Sequence, residues 1–241
     1  MFKGTVLCVP RSEAVRYAAR YLSDLGIPVT DKCAPDVTHL LLPVPSFSRG
    51  DEYLAHLLTT LPDDLIISGG NLSSALLEGY CCVDFLRDPY YLAENAAITA
   101  ECAIKILTQQ LEVDLAGKSV LLIGWGRIGK CLSHMLKHHG AAVCVAARKE
   151  HDLAILRALG FNSIPICETA AETEHFDVII NTVPVLLFPQ IRTREGCVKM
   201  ELASKPGMTG SDIYDGRGLP GKIAPVKSGT LIAKTFLRLS I

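Results

Sequence analysis

The stretch "VLLIGWGRIGKCLSHML", residues 120–136, decides the fold. An apolar run, Val120 to Ile123, leads straight into three glycines spaced G-x-G-x-x-G, and a helical pattern follows. Strand, glycines and helix in that order are the context in which the glycine spacing carries meaning. Gly124 permits the tight turn, Gly126 lets backbone approach a pyrophosphate, and Gly129 lets the helix lie close to the strand. Trp125, Arg127 and Ile128 fill the variable positions, so residues 124–129 are expected to form one dinucleotide-binding turn. The helix N-terminus then offers N–H groups and a positive dipole end to the phosphates. A plain strand-to-helix turn is the competing reading.

The next strand bears on which dinucleotide is bound. An NAD site usually places Asp or Glu about 20 residues on, to accept from the ribose 2′-hydroxyl. Here the strand "AAVCVAA" ends in Arg148 and Lys149, with no acid at its tip before Glu150. Two cations suit a 2′-phosphate through charge-assisted hydrogen bonds. The cofactor expected is therefore NADP, with NAD as the alternative.

Two later strand ends are expected to face the nicotinamide half of such a cofactor. "FDVIINTVP" ends in Asn181, Thr182 and Val183, stopped by Pro184, and "CVKMELAS" ends in Ala203 and Ser204, followed by Lys205. Lys205 is the candidate catalytic residue, either holding a substrate carboxylate or, if desolvated, moving a proton. An ordinary exposed lysine is the competing reading.

Short apolar runs alternate with helical patterns along the rest of the chain, which favours parallel sheets covered by helices. Before the glycine loop, "GTVLCV", "IPVT", "THLLLPV", "DLIISGG" and "CCVDF" read as strands. A helix is expected to start on Ser12 and stop at Gly26, and another over Glu94–Leu111. The expected fold is α/β with two doubly wound parallel-sheet domains, the first flavodoxin-like and the second a Rossmann domain. Residues 1–93 form the first, completed by a C-terminal helix over 226–241 that crosses back; 94–116 form a connecting helix and linker; and 117–225 form the dinucleotide domain. Ligands of open α/β sheets lie outside the carboxyl ends of the strands. In the first half, Ser68, Gly69, Gly70 and Asn71 end a strand and are expected to open a helix, with N–H groups for an anion. Arg11, at the end of the first strand, is the matching cation for a carboxylate.

At 241 residues the chain can bury two modest cores. The formal net charge of −1 argues neither for nucleic acid nor for an anionic membrane surface, and neither is expected as a partner. None of the nine cysteines forms CxxC spacing, and most lie in apolar runs, so buried reduced thiols and a cytoplasmic location are expected. No apolar run reaches the roughly 20 residues of a membrane span.

The segments "TAECAIKI", "VLLIGWGRIGKCL", "VAARKEHDLAILRALG", "DVIINTVP", "ELASKPGMTG" and "GLPGKIAPVKSGTLIAKTFL", in this order, resemble the A subunit of dipicolinate synthase. The resemblance is dense from residue 94 onward and rests most on "LASKPG" and "GLPGKIAP". It implies an NADP-dependent oxidoreductase subunit that makes pyridine-2,6-dicarboxylate from a dihydro- or hydroxytetrahydro-dipicolinate during endospore formation. It also implies a small dicarboxylate substrate and partnership with a flavoprotein-like B subunit; a homo-oligomer is expected as well. The chain departs from the family at "CVPRSE", where a Gly-Asp pair is usual, and it is shorter around "PVPSFSRGDEYLAH". Both departures bear on the substrate side. A 2-hydroxy-acid dehydrogenase shares the loop form but needs a late histidine as acid/base, and no histidine follows His175. A non-catalytic NADP-binding module is the rival from another class.

Overall fold

The computed structural model describes residues 4–9, 11–46 and 52–241. The part of "PVPSFSRGDEYLAH" at residues 47–51, within the region expected to be shortened, lies outside them. The chain divides into two compact units, residues 1–95 with 220–241 and residues 96–219.

The first unit holds strands β1 (Thr5–Cys8), β2 (Val29–Thr30), β3 (Val37–Leu41), β4 (Ile66–Gly69) and β5 (Cys81–Asp84), all parallel in the order β2-β1-β3-β4-β5. This is the flavodoxin-like order, with its switch point between β1 and β3. Alternation along β1 sends Leu7 to one face and Val6 and Cys8 to the other. The Leu7 face packs under α2 (Glu52–Leu58) through Leu54, Leu57 and Leu58. The Val6 face packs under α1 (Glu13–Asp24) through Val15, Ala18 and Leu22, and under Ile232 and Phe236 of the C-terminal helix. Ser12 caps α1 by accepting from Val15 N, and Gly26, with φ 78°, closes its end as the sequence suggests.

Helix α3 (Pro89–Lys105) begins five residues before the expected Glu94 and runs on into a π turn, Ile106–Gln110. Asp88 explains the early start: its carboxylate accepts from Tyr91 N at 2.7 Å, with Pro89 at the first helical position. The division between the two units falls inside this helix, after Asn95.

The second unit holds β6 (Ser119–Ile123), α4 (Arg127–His138), β7 (Ala142–Ala147), α5 (Glu150–Ala158), β8 (Asn162–Pro165), the short α6 (Thr169–Glu172), β9 (Val178–Asn181), β10 (Val198–Glu201) and β11 (Ile213–Asp215). The sheet is parallel, in the order β11-β10-β9-β6-β7-β8. Renumbered from β6, this is the 3-2-1-4-5-6 order of a Rossmann sheet, with its switch point between β6 and β9. Ile123 at the end of β6 lies between Ala146 and Asn181. Strand β11, with only three residues, is the one the sequence pattern does not reveal.

The chain returns to the first unit through α7 (Leu219–Ile223) and α8 (Pro225–Leu239). Gly229 sets how closely α8 lies on α1, since a Cβ there would stand 2.4 Å from Ala14 O and 2.6 Å from Tyr17 Cβ. The end of α8 is tied down three times. Arg238 pairs with Asp88, Ser240 O accepts from His39 Nε2 at 3.0 Å, and Ser240 Oγ is 2.8 Å from Ser68 Oγ. Asp88 titrates below the ordinary carboxylate range, chiefly because Arg238 hydrogen-bonds to it.

Of the nine cysteines, all free, Cys8, Cys102 and Cys197 are buried, whereas Cys33, Cys81, Cys82 and Cys167 are exposed. This corrects the expectation of buried thiols, and sheet position explains it. Cys81 and Cys82 lie on β5, an edge strand, and Cys167 follows β8, an edge strand of the other sheet. Among the described residues no helix is long and apolar enough to cross a membrane.

The packing of α8 supports two stability predictions. Gly229→Ala gains helix propensity worth about 1 kcal/mol but drives a methyl into backbone. A net loss of about 1–3 kcal/mol in urea unfolding is expected. His39 titrates below its ordinary value because burial disfavours its cation. The unfolded chain therefore binds the proton more readily, and this share of stability, complete above the unfolded pKa of about 6.5, is lost as pH falls towards the lower folded value. Unfolding measured across that window should show the loss in the wild type and a flatter profile in His39→Leu.

Candidate functional site

The carboxyl ends of β6 and β9 meet around one carbonyl. Ile123 O accepts both the N–H and the Oγ of Thr182, each at 2.9 Å. Gly124 turns the chain here with φ 108°, and a Cβ on it would stand 2.4 Å from Thr182 Oγ1 and 2.9 Å from Val183 Cγ2. A Cβ on Gly129 would stand 2.1 Å from Gly124 O, so α4 closes onto the turn only because that position is bare. Gly126 differs from both: it is the helix N-cap, and a Cβ on it would meet nothing within 4 Å. Open space thus faces the one glycine whose assigned role is to admit a phosphate.

No side chain caps α4, so the N–H groups of its first turn, from Arg127 to Gly129, receive no side-chain acceptor. An anion seated above Gly126 would meet those donors and the positive end of the helix dipole. Trp125 is half-buried, its ring 6.1 Å from that of Phe161 and 5.9 Å from Lys130 Nζ. Gly124 N bonds to Ala146 O, which places Arg148 and Lys149 just beyond the neighbouring strand end. Both are exposed, and no ion pair involves either among the described residues. The residues present fit a dinucleotide, with the cradle at 124–129 for its pyrophosphate and two cations where a 2′-phosphate would lie.

The two later strand ends are built differently from expectation. Asn181 is fully buried and its amide is spent internally, donating to Val183 O and to Glu201, and accepting from Val183 N. It braces the turn rather than facing a ligand. Glu201, buried at the end of β10, accepts from Ala203 N at 3.0 Å, Gly207 N at 2.8 Å and Met208 N at 3.2 Å as well as from Asn181. Four N–H donors around one buried carboxylate satisfy it and fold "LASKPGM" about it. Gly207 O in turn accepts from Leu187 N and Phe188 N, which joins this loop to the one after β9. The sequence reading missed Glu201; an acid between apolar residues in "KMELA" was the available signal. Ala203 is buried, whereas Pro184, Ser204 and Lys205 are exposed. Lys205 is exposed and has no ion pair among the described residues.

On the substrate side, the expected anion seat is already filled by the protein itself. No helix opens at Asn71; the next helical turn is a 3₁₀ turn at Ala75–Leu77, capped by Ser74. Asn71 N and Leu72 N donate to the Asp84 carboxylate at 3.0 and 3.1 Å, and Gly70 N donates to Ser46 Oγ at 2.9 Å. Ser68 is buried against Ser240. Gly69 and Gly70 are bare because Ser46 and Val44 press on them, at 2.3 and 2.5 Å from where a Cβ would lie. Arg11 differs: it lines a cavity at the ends of β1 and β3, 5.3 Å from the Tyr53 ring centroid.

Burial pushes the Cys8 thiol up to about 12 and, with help from Glu172, that of Cys144 up to about 11. Burial also raises Cys131 and Cys197, and Cys82, though exposed at the strand edge, is raised by partial desolvation beside Cys81 and Asp84. These thiols stay protonated at neutral pH, which disfavours nucleophilic thiol chemistry. Among the described residues no cluster of three or more His, Cys, Asp or Glu could hold a metal ion.

The class these features define is a two-domain α/β protein with a Rossmann dinucleotide fold. The fold is shared in particular with the A subunit of dipicolinate synthase. The chain superposes on that subunit from Bacillus halodurans with a TM-score of 0.83 and 22% identity, covering 98% of this chain and 97% of the other. The corresponding dipicolinate synthase structure from Bacillus subtilis gives 0.78 and 19%, covering 99% and 96%. A transhydrogenase from Sinorhizobium meliloti gives 0.71 and 16%, covering 91% and 78%. No family model matches the chain, and no curated protein matches it in sequence.

The glycines should separate in their effects. Gly126→Ala should leave thermal stability within about 0.5 kcal/mol of wild type, since its methyl enters open space. Gly129→Ala should cost about 1–3 kcal/mol, since its methyl meets the Gly124 carbonyl. Equal losses in parallel denaturant titrations would contradict this division of roles.

Proposed function

We propose that the chain is an NADP-dependent oxidoreductase, similar to the A subunit of dipicolinate synthase, that oxidises a dihydrodipicolinate, or a hydroxytetrahydro-dipicolinate that also loses water, to pyridine-2,6-dicarboxylate with transfer of a hydride and release of a proton. The observation that carries the reading is the phosphate cradle at the β6–β9 switch point, open at Gly126 and closed by Gly129. When bound, NADP supplies the hydride acceptor for an oxidation that ends in an aromatic ring. The first turn of α4 holds its pyrophosphate, and Arg148 and Lys149 hold the 2′-phosphate. Thr182 keeps the loop after β9 against the cradle, and Glu201 shapes the loop that presents Ser204 and Lys205. Lys205, exposed and charged, is assigned to a substrate carboxylate rather than to proton transfer. Partnership with a flavoprotein-like B subunit, self-association, a cytoplasmic location and a role in spore formation complete the proposal.

The exposed setting of Lys205 also favours a second reading, a non-catalytic NADP-binding module that supports a partner protein. NADPH formation with a dihydrodipicolinate-type substrate, with and without a flavoprotein partner, separates the two. Turnover supports the enzyme; tight NADP binding with no turnover in either mixture supports the module. NADP should bind more tightly than NAD, and Arg148→Ala should narrow the gap by about tenfold, the loss of a charge-assisted contact. Titration of Trp125 fluorescence measures both affinities, and equal wild-type values would count against NADP.

A further inference from the structure

The open cradle fixes the course of the rest of a dinucleotide. With the pyrophosphate above Gly126, the adenosine end turns towards β7, where Arg148 and Lys149 follow the strand. The other end is left to the opposite side of β6, where β9 and then β10 lie in the sheet. The loop after β9 starts against the cradle, with Thr182 and Val183 packed on Gly124. It then carries Val185 and Leu186, adjacent apolar side chains that are 59% and 53% exposed.

The way this exposed pair is held is the independent observation. Glu201 Oε1 accepts from Asn181 Nδ2 at 2.8 Å and from Ala203 N at 3.0 Å, while its Oε2 accepts from Gly207 N at 2.8 Å. Asn181 in turn bonds to both polar groups of the Val183 backbone, just before the pair. Gly207 O accepts from Leu187 N and Phe188 N, just after it. Gly207 is bare because the loops touch there: a Cβ on it would stand 2.9 Å from both Val183 O and Val185 O. Phe188 and Met208 form a β-bridge and lie in the same core cluster as Ile123. The loops after β9 and β10 are thus welded into one body, pinned on both sides of an apolar ridge that stays in solvent. Apolar surface already fixed in place carries little ordering cost when a ligand covers it.

We infer that the two welded loops form one preset platform for the nicotinamide ring, with Val185 and Leu186 as its apolar seat and Glu201 as the positioning residue that holds the seat in place. The inference rests on the dinucleotide reading above, and it holds for an enzyme and for a binding module alike. An apolar seat suits the neutral dihydropyridine of NADPH, whereas the pyridinium of NADP is a cation that would lose hydration there. NADPH is therefore the probe that reads the seat most directly.

Calorimetric titration of the full chain with NADPH and with 2′-phospho-ADP-ribose, which lacks only the ring, tests this. The wild type should bind NADPH at least about fivefold more tightly than the ring-less probe. The double variant Val185→Ser, Leu186→Ser should bring the two Kd values within about twofold by weakening NADPH alone. Both side chains are exposed, so folding is not at stake. Glu201→Gln keeps the shape of the side chain but presents an N–H where an acceptor is needed, and it should also narrow the gap. Should the glutamine variant fail to fold, Glu201→Asp, which keeps the charge but shortens the side chain, decides. A brace that is merely structural would lower thermal stability while both probes weaken together or neither does. A gap unchanged in the serine variant overturns the seat, and a gap unchanged in the folded Glu201 variant overturns the positioning role. Equal wild-type affinities for the two probes overturn the inference and leave the dinucleotide reading standing. Binding of neither probe removes both.

Discussion

The second unit depends on the carbonyl of Ile123, which takes both polar hydrogens of Thr182. Strands β6 and β9 are neighbours in space, but three helices and two strands separate them along the chain. Parallel strands have no short turn to fix their relative position; a four-residue ladder pairs these two, and the two bonds from Thr182 extend it at their ends. Thr182 and Val183 leave Gly124 no room for a side chain, and the carbonyl of Gly124 leaves Gly129 none. Of these three glycines Gly126 alone stays open, at the N-terminus of α4.

Glu201 organises the neighbouring strand end by a different principle. A carboxylate taken out of water is costly unless its lone pairs are met, and here backbone and amide N–H groups meet them. The same bonds that stabilise the charge fix the course of residues 203–208, and Asn181 extends the brace to the loop after β9. Asp84 does the same in the first unit, where it gathers the N–H groups of Asn71, Leu72 and Leu86. Both units thus hold loops at strand ends with internal carboxylates. The α4 N-terminus, where glycine is the cap, has no side-chain acceptor of that kind.

The return of α8 shows how a local sacrifice serves the tertiary structure. Gly229 weakens the helix it belongs to, yet it lets α8 lie against the backbone of α1. Ile232 and Phe236 then complete the core beside Val15 and Leu22, and Ser228 arrives at the cavity edge. A segment more than 200 residues from β1 therefore supplies part of the wall at its end.

Much of this was legible in the sequence because it depends on neighbours along the chain. Ser12 as cap, Gly26 as stop, the strand–glycine–helix context of residues 120–136 and the cations after β7 are local features with local causes. The alternation that builds two parallel sheets is local too. What the tertiary structure alone decided is which groups meet. Ser68 to Asn71 were expected to open a helix with N–H groups for an anion; no helix opens there, and the N–H groups of Asn71 and Gly70 go to Asp84, 13 residues on, and Ser46, 24 residues back. Asn181 had the right place and the wrong partner, because Glu201 lies beside it only through strand pairing. Cys81 and Cys82 read as core but stand exposed, because β5 pairs on one side alone. Local propensity comes from a residue and its near neighbours, whereas burial and hydrogen-bond satisfaction belong to contacts between distant segments, which form only as the chain folds.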